Sequence, residues 1–240
     1  MVEVRGTGRR RFNQVGILAG MLRNPGPVTA DDVDQAVADA VLALSSRADR
    51  DWRVPAAGLD WDCWETVEHV ADDLFAYALQ LAPKRPALTG YLPVEAKAVR
   101  AGGPMSTVFG DPEAGTDGLV HVLDACGGLL SSLVRTAPPT VRGFHPAGVS
   151  DPEGFAAMGL VEVLVHLYDL APVLEFTWAP DDDLCDRVLY RLFPDAPAAS
   201  AASDGPGGWP TLLWAAGRTA LPDHPRRSTW RWHGEPRQTP

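Results

Sequence analysis

Residues 159–171 read GLVEVLVHLYDLA, a stretch that is apolar on almost every side of the helix it would form. A helix that is apolar all round is typical of a protein interior, where a carboxylate is costly unless it is paired or bound to a cation. Glu162 and His166 are four residues apart and so share one face, with Asp169 beside them. The stretch therefore predicts a buried helix in which Glu162 and His166 either hydrogen-bond to each other or bind one metal ion.

Four segments have apolar residues at helical spacing, and no segment between them alternates convincingly like a β-strand. Asp62 precedes Glu65 by three residues, the spacing of a capping box, and Asp151 precedes Pro152, an order typical of a helix start. This pattern predicts an all-α protein whose main part is a four-helix bundle. The predicted helices cover about 30–47, 62–82, 116–137 and 152–174.

Composition divides the chain into three parts. Residues 1–28 are interpreted as a disordered leader or a mis-assigned start; a twin-arginine export signal is the alternative, but no small-residue cleavage pattern follows its short apolar run. Residues 29–177 form the predicted bundle, and 178–240 form a small, mostly helical extension and tail. Within that extension we expect helices at 181–193 and 209–222, a linker at 194–208, and a strand-like or packed tail at 229–236.

The overall charge and the cysteine content restrict the partners and the compartment. The 240-residue chain has a formal net charge of −10, which disfavours binding to nucleic acid or to an anionic membrane surface. Three widely spaced cysteines form no disulfide framework, as expected in a reducing cytoplasm. Beyond the leader, we expect no segment long and apolar enough to span a membrane. The sequence leaves open whether the protein is a monomer or a homodimer.

A metal site needs a third ligand, and the second helix offers one. His69 lies in WETVEHVADDL (64–74), among apolar residues of an amphipathic helix. Two histidines and one glutamate on facing helices make a ligand set that leaves coordination positions open, as in catalytic rather than structural zinc sites. A lone core histidine is more often satisfied locally, so periodicity alone leaves both interpretations open.

These motifs together resemble a known family. WETVEHVADDL, followed by ExxxH at 162–166 and YDLA at 168–171, is similar to the DinB-like superfamily. Within it, the chain most resembles the N-terminal domain of mycothiol-dependent maleylpyruvate isomerases and their actinobacterial relatives, over about residues 30–174. The resemblance implies a four-helix bundle that binds a divalent metal, usually zinc, through His69, Glu162 and His166.

The resemblance also implies a reaction. A divalent cation lowers the pKa of a bound thiol, and the resulting thiolate can add to an electrophile for S-transfer or cis–trans isomerisation. The implied cosubstrates are a mycothiol-like thiol and a small electrophile. The isomerase is expected to carry a larger second domain than this chain, which puts maleylpyruvate itself in question. The alternatives are a hydrolase with a zinc-bound water and a non-catalytic bundle that binds a metal or small ligand.

Four further residues are candidates for supporting roles, and the sequence identifies no catalytic group beyond the metal site. Asp73 follows His69 by one turn and is placed to orient that imidazole, although an exposed acidic face at Asp72 and Asp73 is an equally good interpretation. Asp169 follows His166 by three residues and is placed to orient it, or lies at the edge of the core. His145 precedes the fourth helix and could bind substrate, although a packed loop histidine is the simpler interpretation. Arg100, in the long loop at 83–115, could bind an anionic substrate, although a surface charge is the default.

Overall fold

The computed structural model describes residues 25–197 and 206–237. Within these ranges the regular structure is helical, and extended pairing is limited to isolated bridges such as Lys97 with Ser106. The predicted all-α class is therefore confirmed for the described chain. The helices are α1 (Ala30–Ser45), α2 (Cys63–Leu81), a 3-10 turn (Pro112–Ala114), α3 (Gly115–Thr136), α4 (Pro152–Leu174), α5 (Asp182–Leu192) and α6 (Gly208–Ala215).

Helix α4 is the centre of the bundle. Asp151 caps its N-terminus by accepting a hydrogen bond from the Gly154 N–H, with Pro152 in the first turn, as the sequence predicts. Nearly every residue from Pro152 to Leu174 is buried, and the helix ends at Glu175, which has left-handed backbone geometry (φ 61°). Helices α1, α2 and α3 all pack on α4, and α2 packs closely on α3. Any polar group on α4 between these neighbours is consequently enclosed by other helices.

The starts of the helices follow the sequence more closely than their ends. Thr29 and Asp32 form a capping box at α1, and Asp62 and Glu65 form the predicted one at α2. Helix α1 ends at Ser45, two residues before the predicted end. Helix α6 ends at Ala215, far short of the predicted 222, because Gly217 adopts φ +70° and turns the chain away from the helix.

The long loop between α2 and the 3-10 turn is held against α2 by carboxylates. Asp72 accepts hydrogen bonds from the N–H groups of Thr107 (2.6 Å) and Val108 (2.8 Å). One turn earlier, Glu68 accepts one from the Gly110 N–H (3.0 Å). The acidic face of α2 is thus buried and structural at Asp72, where the sequence left an exposed acidic face as an alternative.

The C-terminal segments pack against the bundle through a buried arginine. Arg191 of α5 is buried and binds the Asp151 carboxylate (2.8 Å) and the carbonyl oxygen of Gly234 (3.0 Å). The His233 N–H donates to the carbonyl of Leu192 (2.8 Å). The tail is therefore packed rather than a strand: Trp232 is buried, and no strand ladder forms in the described part of the tail.

Two helices are long and apolar enough to cross a membrane by length and composition alone: Pro112–Thr136 and Pro152–Leu174. The prediction that no such segment exists was wrong, because it did not count the core helices. The most apolar window is 83% buried inside the protein in the second helix and 39% buried in the first. The same apolar composition is what a central bundle helix requires, so the finding is weak support for a membrane span.

The contact between α3 and α1 gives a test of the packing. A Cβ atom added at Gly127 would lie 2.7 Å from both Cγ atoms of Val37, whereas one at Gly128 would meet nothing within 4 Å. We expect Gly127→Ala to lower the free energy of unfolding by about 1–3 kcal/mol through overpacking. Gly128→Ala should raise it by up to about 1 kcal/mol through helix propensity. Urea denaturation of both variants measures this, and equal shifts would contradict the close approach of the helices.

Candidate metal centre

Helices α4 and α2 bring His69, Glu162 and His166 together. The Glu162 Oε2 atom lies 3.3 Å from His166 Nε2 and 3.6 Å from His69 Nε2. One ligand atom from each of the three side chains lies within 4.8 Å of the others. The two imidazole rings meet edge to face, with centroids 5.1 Å apart. The side chains that the sequence proposes as ligands thus converge on one point inside the bundle.

In this cluster the pKa values of Glu162 and His69 are shifted by their neighbours in the direction opposite to the effect of burial. Burial alone would raise the pKa of Glu162, yet contacts with His166 and His69 hold it below its ordinary value. Burial alone would lower the pKa of His69, but the negative charges of Asp73 and Glu162 raise it to about 9. Without a metal ion, a proton on His69 therefore supplies positive charge beside the carboxylates.

The donor set fits a small divalent cation. Ligand atoms about 2.0–2.1 Å from a tetrahedral zinc ion lie roughly 3.3–3.4 Å from each other, close to the two distances measured from Glu162 Oε2. Two neutral imidazoles and one carboxylate would leave part of the coordination shell open. A sealed Glu162–His166 hydrogen bond would not require His69, so the third side chain is what favours a metal site over a local pair.

Asp169 holds His166 from the side opposite the cluster. Its Oδ2 atom lies 3.1 Å from His166 Nδ1, while Nε2 faces Glu162. The Arg218 guanidinium donates two hydrogen bonds to the same carboxylate, at 3.1 Å and 2.7 Å. This arrangement is the carboxylate–histidine pair that fixes ring orientation in many metal sites, and here an arginine fixes the carboxylate in turn.

Asp73 contacts the side of the His69 ring that faces Glu162, whereas the sequence placed it behind that ring. Its Oδ2 atom is 3.5 Å from His69 Nε2, the nitrogen that faces Glu162, rather than next to the far nitrogen of that ring. Burial, together with the charge of Glu162, raises the pKa of Asp73 well above its ordinary value. Asp73 is therefore on the ligand-facing side of the cluster and does not orient His69 from behind.

Tyr77 and His145 extend the polar cluster on the other side of Glu162. The Tyr77 hydroxyl donates to Glu162 Oε1 at 3.4 Å. The His145 ring lies 5.9 Å from the Tyr77 ring and 5.8 Å from that of Trp232. Burial lowers the pKa of His145 to about 4, and its Nδ1 accepts the Ala147 N–H (3.1 Å). The ring is thus neutral at pH 7 with its proton on Nε2.

Arg100 binds protein carboxylate instead of facing the cluster. Its Nε and Nη2 atoms donate to the two carboxylate oxygens of Glu65, each at 2.7 Å. Trp61 links the same loop to the site, because its indole N–H donates to the Gly102 carbonyl (3.2 Å) while its ring lies 4.8 Å from that of His69. In this arrangement Arg100 holds the loop to α2, and Trp61 covers one side of the imidazoles.

The protein's own thiols are unsuited to nucleophilic chemistry. Cys63, Cys126 and Cys185 are free and buried. Burial raises the pKa of both Cys63 and Cys126 to about 11, and raises that of Cys185 further. At neutral pH the thiolate fraction of each cysteine is therefore very small.

Some residues of the site were absent from the sequence prediction. His69, Asp73 and Tyr77 are spaced by four on α2, so the helical period could have added Tyr77 to the candidate face. Arg218 carries no comparable signal, because it reaches Asp169 from 49 residues further along the chain.

Comparisons with known proteins give the fold. No protein-family model and no curated protein matches the sequence. Among solved structures, the chain is similar to the crystal structure of the mycothiol-dependent maleylpyruvate isomerase, with a TM-score of 0.50 and 14% sequence identity. The match covers 82% of this chain and 97% of the isomerase chain. At this identity the likeness establishes a shared all-α, DinB-like fold and leaves the activity to be argued from the site.

The same comparison corrects one expectation about length. From the family resemblance we expected the isomerase to have a larger second domain than this chain. Because 97% of the solved isomerase chain is covered, the two proteins compare over most of their structure, including more than the bundle. Chain length therefore gives no ground for setting maleylpyruvate aside.

The contact between Asp169 and His166 can be tested by measuring metal affinity. We expect Asp169→Asn to keep the fold but weaken zinc binding by about 10- to 100-fold, because it removes the charge that supports the His166 ring and pairs with Arg218. Competition with a fluorescent chelator measures the affinity. Unchanged affinity in a folded variant would show that Asp169 does not act on the centre.

The raised pKa of His69 predicts a proton released on metal binding. Below about pH 9 this imidazole is protonated in the metal-free protein, and a metal ion binds only the unprotonated nitrogen. We expect about one proton to be displaced per ion at pH 7, and the apparent affinity to rise with pH up to about 9. Titration calorimetry in buffers of different ionisation enthalpy measures the number of protons. A buffer-independent heat would contradict it.

Proposed function

We propose that this protein is a metal-dependent enzyme that activates a low-molecular-weight thiol, mycothiol or a close analogue. The thiol would be transferred to a small electrophile, or would catalyse the electrophile's cis–trans isomerisation. The observation that carries the proposal is the convergence of His69, Glu162 and His166 inside the bundle. The shared fold with a mycothiol-dependent isomerase supports the choice of a thiol over water as the activated group.

The proposed ligands are His69 Nε2, Glu162 and His166 Nε2, and the proposed ion is zinc, which accepts this mixture of nitrogen and oxygen donors. When bound, a divalent cation lowers the pKa of a thiol that reaches it and so makes thiolate available at neutral pH. The Tyr77 hydroxyl holds Glu162 Oε1, which directs Oε2 toward the two imidazoles. Asp169 keeps the His166 ring in place.

The chemistry of the cysteines supports an external thiol. All three cysteines are buried, and burial raises the pKa of each thiol, to about 11 for Cys63 and Cys126. None of them is therefore a source of thiolate at neutral pH. A sulfur nucleophile used by this protein therefore has to come from a cosubstrate. A reducing cytoplasm, where such thiols are abundant, is the compartment that fits this requirement and the free cysteines.

Two side chains near the centre are suited to handle protons. Asp73 lies beside His69 Nε2, and its raised pKa makes its carboxylate a stronger base than an ordinary one, so that in its ionised form it can accept the proton that an incoming thiol loses. His145 is neutral and carries its proton on Nε2, so it can donate a hydrogen bond to an oxygen of the electrophile as negative charge develops there. The aromatic rings of Tyr91 and Trp232, which flank His145, offer an apolar surface for that substrate.

Replacing the proposed ligands tests this function. We expect Glu162→Gln to keep the fold and to lose at least about 100-fold in metal affinity. This loss is larger than is typical when a residue that only hydrogen-bonds to a metal ligand is replaced. His166→Ala should also lower the free energy of unfolding, by about 3–5 kcal/mol, because it leaves Glu162 buried with one partner fewer. The measurements are zinc affinity, urea denaturation, and the rates of mycothiol addition to an electrophilic dye and of maleylpyruvate isomerisation.

The matched control is His121→Ala, which removes an exposed imidazole on α3 and should change neither rate. Activity that requires both metal and mycothiol, and that falls in Glu162→Gln, would support the proposal. Thiol addition by Glu162→Gln at the wild-type rate, in protein without bound metal, would show that the reaction does not use this centre. Metal-dependent hydrolysis without any need for a thiol would favour a hydrolase instead.

A further inference from the structure

A cleft lies behind the metal centre, on the Asp169 side of His166. It has a volume of about 640 Å³ and is bordered by α4, by the turn after α6 and by the C-terminal tail. Tyr168 and Asp169 line it from α4, and Trp230 lines it from the tail. A volume in this range is typical of sites for small organic molecules.

The charge of this cleft is opposite to that of the whole protein. Its lining includes Arg218, Arg226 and Arg227 but only one carboxylate, Asp169, in a chain with a formal net charge of −10. Arg226 is an exposed residue, and its Nε atom donates to the Gly217 carbonyl oxygen at 2.6 Å. Asp169 pairs with Arg218, and Asp195, which is not part of the lining, pairs with Arg227. Within the described residues Arg226 has no carboxylate partner, so a further anion would balance the charge of the three guanidiniums.

Arg227 gives an independent sign of a missing acceptor. Its Nη2 atom binds Asp195 (2.7 Å), and its guanidinium stacks over the ring of Trp214 (4.9 Å). Its Nη1 atom is buried and has no hydrogen-bond partner in the described chain. Leaving a buried N–H without an acceptor is costly, and a turn of this guanidinium toward an oxyanion in the cleft would remove that cost.

The backbone at Gly217 is shaped to bring these arginines together. A Cβ atom there would lie 2.9 Å from the Trp230 ring and 3.1 Å from the Arg227 carbonyl oxygen, and the residue has φ +70°. Only glycine fits both the conformation and the close approach. The tail can therefore cross directly over the turn after α6 and bring Arg226 and Arg227 beside Arg218.

We propose that this cleft binds a small molecule carrying a carboxylate, sulfate or phosphate group. The guanidiniums of Arg226 and Arg227 would hold the oxyanion through charge-assisted hydrogen bonds. The rings of Tyr168 and Trp230 provide an apolar wall for an organic remainder. The site is separate from the space between His69 and Glu162, because Asp169 and the far edge of the His166 ring lie between them.

The cleft is linked to the metal centre through one carboxylate, a step that rests on the proposed metal function. Arg218 binds both oxygens of Asp169, and Asp169 binds His166 Nδ1. An anion that shares Arg218 leaves more of the Asp169 charge for His166, which makes the imidazole a better ligand. By reciprocity, the metal ion should strengthen anion binding by the same factor.

The test titrates the purified protein with sodium sulfate and with succinate, following tryptophan fluorescence at constant ionic strength. Neutral succinamide is the uncharged control. We expect saturable binding of at least one of the two anions, with the stronger ligand distinguishing an inorganic oxyanion from a carboxylate. In the double variant Arg226→Gln/Arg227→Gln, binding should weaken about tenfold or more. Arg142→Gln, whose guanidinium donates to the backbone carbonyls of Pro139 and Val141, makes the same substitution elsewhere and should bind as wild type.

Zinc affinity is then measured with and without the bound anion. We expect it to rise about fivefold in wild type and to stay constant in the double variant, a comparison that cancels any binding of zinc to the anion in solution. No saturable binding, or equal binding by the double variant, would overturn the cleft as an anion site. Anion binding with unchanged zinc affinity would overturn the link. Anion binding by a protein that takes up no zinc would refute the metal function and the link while leaving the anion site standing.

Discussion

The burial of Glu162 inside an apolar helix is the constraint on which the rest of this site depends. A carboxylate at that position would be strongly disfavoured without positive charge beside it. The bundle places His166 one turn away and His69 on the facing helix beside this carboxylate, and adds a hydroxyl from Tyr77. These groups surround one point, where the proposed divalent cation would supply positive charge directly beside the Glu162 carboxylate.

Helix α2 shows how one element serves both the site and its cover. One face carries His69, Asp73 and Tyr77 into the bundle. A neighbouring face uses Glu65, Glu68 and Asp72 to bind the long loop through hydrogen bonds and an ion pair. The loop is therefore held in a fixed position beside the metal centre. Trp61, which precedes α2 and donates to the Gly102 carbonyl of this loop, packs against the imidazoles. The C-terminal segments act similarly from the other side, where Arg218 fixes Asp169 and through it His166.

Much of this arrangement could be predicted from sequence, because it depends on local spacing. Helical periodicity predicted the bundle helices, and the capping patterns at Asp62 and Asp151 predicted where two of them begin. The proposed ligands followed from polar residues on otherwise apolar faces. The groups that periodicity did not reveal are held by contacts between distant segments: Arg218 with Asp169, Arg100 with Glu65 and Asp72 with the loop. The end of α6 was also missed, since it depends on how the tail packs against Gly217.

The central claim is that His69, Glu162 and His166 hold a metal ion. The most direct measurement is elemental analysis of untagged protein, incubated with zinc and then separated from free metal by gel filtration. The account predicts about one zinc ion per chain, with little retained when His69 is replaced by alanine in a protein that remains folded. A folded wild-type protein that retains no metal, or a His69→Ala variant that retains as much, would contradict it.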